Sequence, residues 1–277
     1  MALRIDLHTH SDRSDGMLSP QQLVALAAAR QVALLALTDH DTLSGCEPAR
    51  AACAAAGIDF VAGVELSSQW REREIHVVGL RVDLADAGLR SHCEAVLQRR
   101  RQRIEAMAQR LSRAGLPGAE LAARALRSPS PTRMHLARAL CSLALCNSSE
   151  QAFQRWLQRG RPGYVPALWP ELAAAVQRIV DAGGIAVLAH PHRYRLSAGA
   201  QRELVAAFKQ AGGEAIEVSL AGMAQRDAER AASLARRFGL AGSVGSDFHE
   251  PDLPWRPLGR FAKLPDLVTP IAARLVP

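Results

Sequence analysis

Seven short apolar runs recur along this 277-residue chain, most of them separated by helix-type segments, and run after run ends in histidine, aspartate or glutamate. They lie near Leu3–Leu7, Leu34–Leu37, Phe60–Val64, Ile75–Leu80, Ile185–Ala189, Ala215–Val218 and Gly242–Gly245. Each has strand length and is flanked by turn residues. Strands alternating with helices specify a mostly parallel α/β arrangement. Seven such units suit a closed, barrel-like sheet better than an open dinucleotide sheet, and no GxGxxG follows the first run. Barrel enzymes place their chemistry at the C-terminal ends of the strands. Here those ends carry ligand-type side chains.

The helical segments have legible boundaries. Ser19-Pro20 supplies an N-cap and a first-turn proline for a helix running to Ala29. Pro170 opens Glu171–Ala182, and Gly183-Gly184 closes it. Further helices fit Glu47–Ala56, Gln201–Ala211 and Gln225–Phe238. The alternation breaks between Leu97 and Val165, where helical patterns at Leu97–Ala114, Arg133–Leu145 and Glu150–Gln158 are punctuated by loops at Gly115–Gly118 and Ser128–Pro131. The expected organisation is a discontinuous barrel, 1–96 and 166–277, with an inserted helical subdomain at 97–165 placed to cap the substrate.

Composition sets outer bounds. The longest apolar stretches, such as Val32–Leu37, are far too short to span a bilayer. Ligand-type residues begin at His8, leaving no room for a cleaved signal peptide. Five cysteines (Cys46, Cys53, Cys93, Cys141, Cys146) form no CxxC pair, which fits small buried thiols in a reducing cytosol and a cytoplasmic location. The net charge of +7 hints at an anionic substrate. Only two of the 34 basic residues, Lys209 and Lys263, are lysine, and alanine is abundant. A GC-rich genome produces such a bias as readily as selection for phosphate binding does, so charge is weak support.

Nine residues carry the chemical argument: His8, His10, Asp15, His40, Glu65, His76, His190, Asp247 and His249. In His8-Thr9-His10, period-two geometry puts both imidazoles on one side of the chain, able to hold one ion together. Asp247-Phe248-His249 repeats that spacing after the last run. Asp15 follows a Ser-Asp-Arg-Ser turn, His40, Glu65 and His190 end strand-like runs, and His76 lies inside one. Any one of these histidines alone reads better as a core or surface residue. Consecutive strand ends bearing ligands by accident is far less plausible. Imidazole plus carboxylate without thiolate suits Mn, Zn or Fe, and nine donors exceed what one ion uses, so the pattern points to a hydrolytic centre of two or three ions. Asp39, Asp41 and Glu217 are candidates to orient the imidazoles, and His192 reads as a pocket wall.

Phosphate recognition calls for planar guanidinium forks. The arginines near the ligands or in the insertion are Arg13, the Arg99–Arg103 cluster including Arg100 and Arg103, Arg133 two residues before His135, and Arg193. A run like Arg99–Arg103 is ordinarily a solvated helix face. There is no GxSxG elbow, no Walker A loop and no local pattern for nucleophilic cysteine.

Together, Asp6-Leu-His8-Thr-His10, Ser14-Asp15-Gly16, Leu37-Thr-Asp-His40, Gly63-Val-Glu65, His76, Ala189-His190-Pro191 and Gly245-Ser-Asp247-Phe-His249 resemble the PHP family, named for polymerase and histidinol phosphatase domains. Arg133-x-His135-x-Ala137, Tyr164-Val-Pro166 and Arg193-Tyr194 resemble in particular its small stand-alone branch, often labelled TrpH-like. His192 departs from the small residue expected there. The resemblance implies a distorted barrel of seven β/α units with three divalent ions, manganese foremost and Zn, Fe or Mg as alternatives. His8, His10, Glu65 and Asp247 would hold the first, Asp15, His40 and His249 the second, and Glu65, His76 and His190 the third. The attacking group would be a hydroxide bridging two ions rather than a side chain, with His135 a candidate acid. The implied activity is removal of the 3′-phosphate from nucleoside 3′,5′-bisphosphates such as adenosine 3′,5′-bisphosphate. The alternatives are 5′→3′ exonuclease action on short 5′-phosphorylated oligonucleotides and a non-catalytic metal-binding module. The expected partners are therefore a small nucleotide bearing two phosphates or short oligonucleotides, with no membrane and no obligate protein partner.

Overall fold

The computed structural model describes residues 4–252, 255–265 and 268–275. Seven strands lie side by side in sequence order: β1 (Arg4–Asp6), β2 (Val32–Leu37), β3 (Asp59–Trp70), β4 (Arg73–Leu80), β5 (Ile185–Leu188), β6 (Ala215–Leu220) and β7 (Ala241–Gly245). All seven apolar runs are strands, although Leu3 of the first run lies outside the described residues. Pairing is parallel except where β4 runs antiparallel to both β3 and β5. Beyond their ends, the first and last strands meet. Leu7 N donates to Val244 O, Asp247 N to His8 O and His10 N to Phe248 O, and Thr9 bridges Phe248 in parallel register.

One departure from strict strand–helix alternation matters. β3 and β4 form a hairpin whose last pair, Trp70↔Arg73, leaves a two-residue turn. Arg71 and Glu72 both take positive φ, 48° and 53°, as a type I′ turn requires. Neither residue is the glycine or asparagine that usually marks such a turn, so the sequence offered no hairpin signal. β3 accordingly runs six residues beyond the Val64 end expected for it.

Alternate residues of the strands separate into two environments. Leu34 and Ala36 of β2, Val78 and Leu80 of β4, and Ile185 and Val187 of β5 gather with Leu7, Val61 and Ala215 in one cluster, plugged by Ile271 and Leu275 of a C-terminal 3₁₀ turn. Their neighbours Leu35, Leu37, Val77, Ala186 and Leu188 meet the helices instead. Period-two side chains buried on both faces are the mark of a helix-covered sheet.

The helices are α1 (Pro20–Ala29), α2 (Cys46–Ala56), α3 (Ala87–Arg113), α4 (Gly118–Ala125), α5 (Arg133–Ser142), α6 (Ser149–Ala152), α7 (Leu172–Asp181), α8 (Ala198–Gln210) and α9 (Gln225–Phe238). α1 begins at Pro20 because Ser19 and Gln22 form a reciprocal capping box. α3 starts ten residues before the Leu97 boundary expected for it, and its 27 residues span about 40 Å. Its first turns place Leu89 and Cys93 in the sheet–helix core, while Ile104, Met107 and Leu111 build a separate core with Leu121, Leu136, Leu140 and Leu157. One continuous helix thus joins the sheet–helix core to this second core. α4 was not expected, because Gly115-Leu-Pro-Gly118 reads as loop. Gly118 serves close approach instead: a Cβ there would lie 2.1 Å from the Ala108 carbonyl oxygen. The single helix expected at Glu150–Gln158 divides into α6 and a π-helical turn at Phe153–Leu157. Among the described residues, no helix is long and apolar enough to cross a membrane.

Candidate metal centre

The chain just past β1 builds the first part of the site. Thr9 is pinned outward, its Oγ1 donating to Ala36 O at 2.6 Å and its N–H to Thr38 Oγ1 at 3.1 Å. His8 and His10 therefore both face inward, with their Nε2 atoms 3.1 Å apart. β7 delivers Asp247 against them. Gly245 permits that approach, since a Cβ would lie 2.5 Å from His8 Cβ. Asp247 and His190 hold positive φ, 51° and 28°, the kind of strained backbone that concentrates at functional sites.

All nine ligand-type residues converge on one cluster. His8 Nε2 and His10 Nε2 each lie 3.2–3.4 Å from both Glu65 Oε2 and Asp247 Oδ1. Metal–donor bonds of about 2.0–2.2 Å place tetrahedral donor atoms roughly 3.3–3.6 Å apart, so both imidazoles stand at ligand spacing from each of the two carboxylates. Asp15 Oδ1 lies 3.3 Å from His249 Nε2 and 3.7 Å from His40 Nε2. Glu65 divides its oxygens: Oε1 is 3.0 Å from His76 Nδ1 and 2.9 Å from His190 Nε2, while Oε2 is 3.0 Å from His40 Nδ1. His40 thus offers one nitrogen to Asp15 and the other to Glu65, so geometry alone does not assign it to one group. Overlapping sets with donor spacing fit for a cation are His10–Asp15–His40–His249, His8–His10–Glu65 and His40–Glu65–His76. Asp15 Oδ1, Glu65 Oε2, His10 Nδ1, His40 Nδ1 and His190 Nδ1 are buried without a hydrogen-bond partner. Buried carboxylate and imidazole atoms left unsatisfied suit cations and little else.

The electrostatics of the three carboxylates and of His10 and His190 agree, while neighbouring carboxylates, against burial, raise His8, lift His76 to about 10 and lift His249 to about 9. Burial pushes the Glu65 carboxyl up, but His40, His8 and His76 outweigh it and hold it well below the ordinary carboxylate range. Asp15 is held low against burial by His40 and His249, and Asp247 by Arg193 and His249. Burial, reinforced by His249, lowers His10 to about 3, and burial lowers His190 to about 4. The carboxylates are therefore ionised, and these two imidazoles are neutral with free lone pairs, as cation binding demands.

Around the ligands, Glu217 behaves as the sequence suggested. It is 1% exposed and accepts from His8 Nδ1 at 2.7 Å and from His190 N–H at 2.5 Å. Asp39 and Asp41 do not orient imidazoles. Asp39 accepts from Ser11 N–H, Ser11 Oγ and Ser14 Oγ, tying down the loop to Asp15. Asp41 accepts from Ser67 N–H and from Arg100. Arg100 is accordingly buried as a strut between α3 and the sheet, while its neighbour Arg103 reaches Glu74 at 4.0 Å and donates to Val165 O. Arg133 lies 3.5 Å from Glu74 Oε2. Arg193 and Arg256 both donate to Asp247 Oδ2, Arg256 at 3.4 Å. Arg13 lies 3.5 Å from Asp12 Oδ1, and no ion pair links it to the cluster carboxylates among the described residues. His135 caps its own helix, its Nδ1 accepting from Thr132 N–H, and a bond to the Ser14 backbone engages it further. Burial lowers it to about 4. His192 is half-buried beside the cavity at Gln201 and Asp227 rather than in the cluster. Four of the five free cysteines are buried, and Cys141 is half-buried.

A pocket of about 140 Å³ opens on the cluster, lined by Asp15, His40, His76, Glu74, Arg103 and Arg133 among others. The sequence reading missed Glu74 and Arg256. Glu74 shares with His76 the i, i+2 spacing that identified His8 and His10, so its signal was present. Arg256 lies in an irregular segment after β7 and had none.

Residues 6–118 match the family model described as PHP domain. A "5'-3' exoribonuclease" of Haemophilus influenzae is 39% identical over 98% of this chain and 98% of its own length. A "3',5'-nucleoside bisphosphate phosphatase" of Chromobacterium violaceum is 40% identical over 96% of this chain and 94% of its own. A Chromobacterium violaceum structure, described as an amidohydrolase with bound sulfate and no metal, superimposes with a TM-score of 0.92 at 39% identity, covering 98% of this chain and 95% of that one.

Proposed function

This chain belongs to the PHP domain family, and from that premise we propose that it is a metal-dependent phosphoesterase that breaks the P–O3′ bond of a nucleoside 3′,5′-bisphosphate, giving a 5′-monophosphate and phosphate. The Chromobacterium relative is named for that activity, and the Haemophilus relative for a 5′–3′ exoribonuclease. Breaking P–O3′ serves both reactions; they differ in whether the phosphate carries another nucleoside. Trimming of short 5′-phosphorylated RNA is therefore the second reading.

The carrying observation is the cluster of nine donors rimmed by arginine in two places, Arg193 and Arg256 at Asp247, and Arg103 and Arg133 at Glu74. Two separated guanidinium pairs match two phosphates on one ribose, so one phosphate is clamped while the other reacts. His8, His10, Glu65 and Asp247 are read as holders of one ion, Asp15, His40 and His249 of a second, and His76 and His190 with Glu65 of a third, with manganese the foremost candidate. Bound divalent ions would supply a water of lowered pKa and neutralise charge on the phosphoryl oxygens. Ser11, next to His10, has its hydroxyl engaged by Asp39, which ill suits it to act as a nucleophile. His135 is assigned to docking the insertion on the Ser14 loop rather than to proton donation, because its low pKa and engaged nitrogen ill suit an acid. The hydrogen bonds that join β1 to β7, and the inner cluster plugged by the C-terminal turn, support reading the sheet as a closed, distorted barrel. Residues 97–165 are its substrate cap.

The test is a comparison of rates on adenosine 3′,5′-bisphosphate, a 5′-monophosphate, histidinol phosphate and a short 5′-phosphorylated RNA, before and after exhaustive chelation. The bisphosphate is expected to lead, and chelation to abolish its hydrolysis. Full activity after chelation, or histidinol phosphate as the best substrate, refutes the reading.

A further inference from the structure

The pocket at the metal centre does not end at Glu74. That carboxylate also lines a second cavity of about 410 Å³, walled by Arg73 of the hairpin and by Arg159, Tyr164, Leu168 and Trp169 of the segment returning from the insertion. Arg73 and Arg159 in turn line a third cavity of about 390 Å³ that reaches Trp70 at the hairpin tip. The three cavities share wall residues in succession, Glu74 between the first two and Arg73 and Arg159 between the outer two, and the row they make leads from the ligand cluster as a trough.

The lining has the chemistry of a single-stranded polyanion site. Among the described residues, neither Arg73 nor Arg159 makes an ion pair. Two carboxylates share these walls: Glu74 is already countered by Arg133 and Arg103, and Glu72 lines both outer cavities without an ion pair among the described residues. Trp169 is 4% exposed, and its Nε1 is buried without a hydrogen-bond partner. This indole N–H is a buried donor that no protein acceptor satisfies. Leu168, at 77% exposure, presents an apolar surface where a soluble wall would ordinarily be polar. Unpaired arginines interleaved with aromatic and apolar faces match a backbone with stacked bases, not an inorganic anion.

We propose that this trough holds the 3′ continuation of a short single-stranded oligonucleotide whose scissile phosphate lies at the metal centre. The proposal rests on the phosphoesterase reading above and deepens it: the metal centre hydrolyses P–O3′ in either substrate, and the trough adds affinity only for those with more nucleotides. Arg73 and Arg159 contact successive phosphates, and Tyr164 offers a stacking face.

The experiment compares the metal-loaded wild type with Arg73→Glu/Arg159→Glu and, separately, Tyr164→Ala. Hydrolysis of adenosine 3′,5′-bisphosphate is measured beside that of 5′-phosphorylated RNAs two to six nucleotides long. Binding of a labelled five-nucleotide RNA with a non-hydrolysable terminal linkage is followed by anisotropy across salt concentrations. The charge-reversal variant is expected to keep kcat/KM on the bisphosphate and lose about tenfold or more on the RNA. Its log Kd against log salt should flatten by about 0.7 per lost phosphate contact. Tyr164→Ala should weaken RNA binding on the order of tenfold. Equal losses on both substrates, or unchanged RNA binding with an unchanged salt slope, overturn the trough assignment. If the wild type hydrolyses neither substrate while the binding difference persists, the phosphoesterase reading fails and the trough stands.

Discussion

Glu217→Gln is the most discriminating single change to the metal centre. Glu217 touches no presumed ion, yet its two oxygens each accept from a ligand residue, Oε1 from His8 Nδ1 at 2.7 Å and Oε2 from His190 N–H at 2.5 Å. Both partners are donors and the site is sealed from water. Glutamine has nearly the same shape, but its amide brings one acceptor and one donor. One contact must then fail, either leaving His8 in the wrong tautomer or the His190 amide unpaired. Losing a charge-assisted bond in such a place costs about 1.5–3 kcal/mol. Changes of this kind behind a metal-bound imidazole cost roughly 10–100-fold in metal affinity, or about 1.4–2.7 kcal/mol, so the two estimates agree. The assay equilibrates wild type and variant with graded chelator and follows bound metal together with bisphosphate hydrolysis. The variant should release metal at 10–100-fold lower chelator strength and recover activity in excess metal. Thermal unfolding of both proteins in excess chelator separates metal affinity from fold stability. An unchanged release midpoint would show that His8 and His190 are held without Glu217, and that the spacing read as ligand geometry does not depend on it.

Two further outcomes follow from the insertion. His135 is lowered to about 4 in the fold from an ordinary value near 6.5, so folding favours its neutral form; its stabilising contribution is present above pH 6.5 and is lost as the pH falls from 6.5 toward 4. His135→Gln keeps a capping-box side chain at the same helix position, and should remove up to roughly 3 kcal/mol of stability change across that window, seen in urea unfolding at pH 7 and pH 4.5; equal pH dependence in both proteins would contradict this. Arg133→Ala should raise KM for the bisphosphate by about 10–100-fold, the worth of charge-assisted phosphate bonds, with metal content unchanged by elemental analysis, whereas parallel loss of metal would make the insertion a structural support for the centre.

Much of this was legible because the relevant signals are local. α1 and α9 begin and end where Ser19-Pro20 and Gly239 require, Gly239 sitting in the left-handed region at φ 61°. The nine ligand-type residues were visible because strand ends repeat, and the repeat survives without knowing which ends meet. What the chain concealed depends on non-local packing or on unusual turn chemistry. Arg71-Glu72 makes a tight hairpin turn without glycine, and Gly118 is a packing glycine at a helix start rather than a loop.

Direction along the strand decided the subtler cases. Asp39 and Asp41 flank His40, and adjacency suggested they would support it. Neighbours in extended chain point to opposite sides, as His40 and Asp39 do: His40 faces the cluster while Asp39 turns to Ser11 and Ser14, and Asp41, in left-handed backbone at φ 51°, turns to Arg100 and Ser67. The same rule, applied to Glu74-Ile-His76, places Glu74 on the side of His76, where it gathers Arg103 and Arg133. Glu74 thereby stands between the metal centre and the trough, with a ligand imidazole on one flank and two phosphate-binding candidates on the other. Shortening it by Glu74→Asp would leave both arginines charged but unanchored. A site serving mononucleotides and oligonucleotides through one metal centre then needs no second active site, only a wall whose arginines grip a terminal phosphate or let a chain pass on toward Trp169.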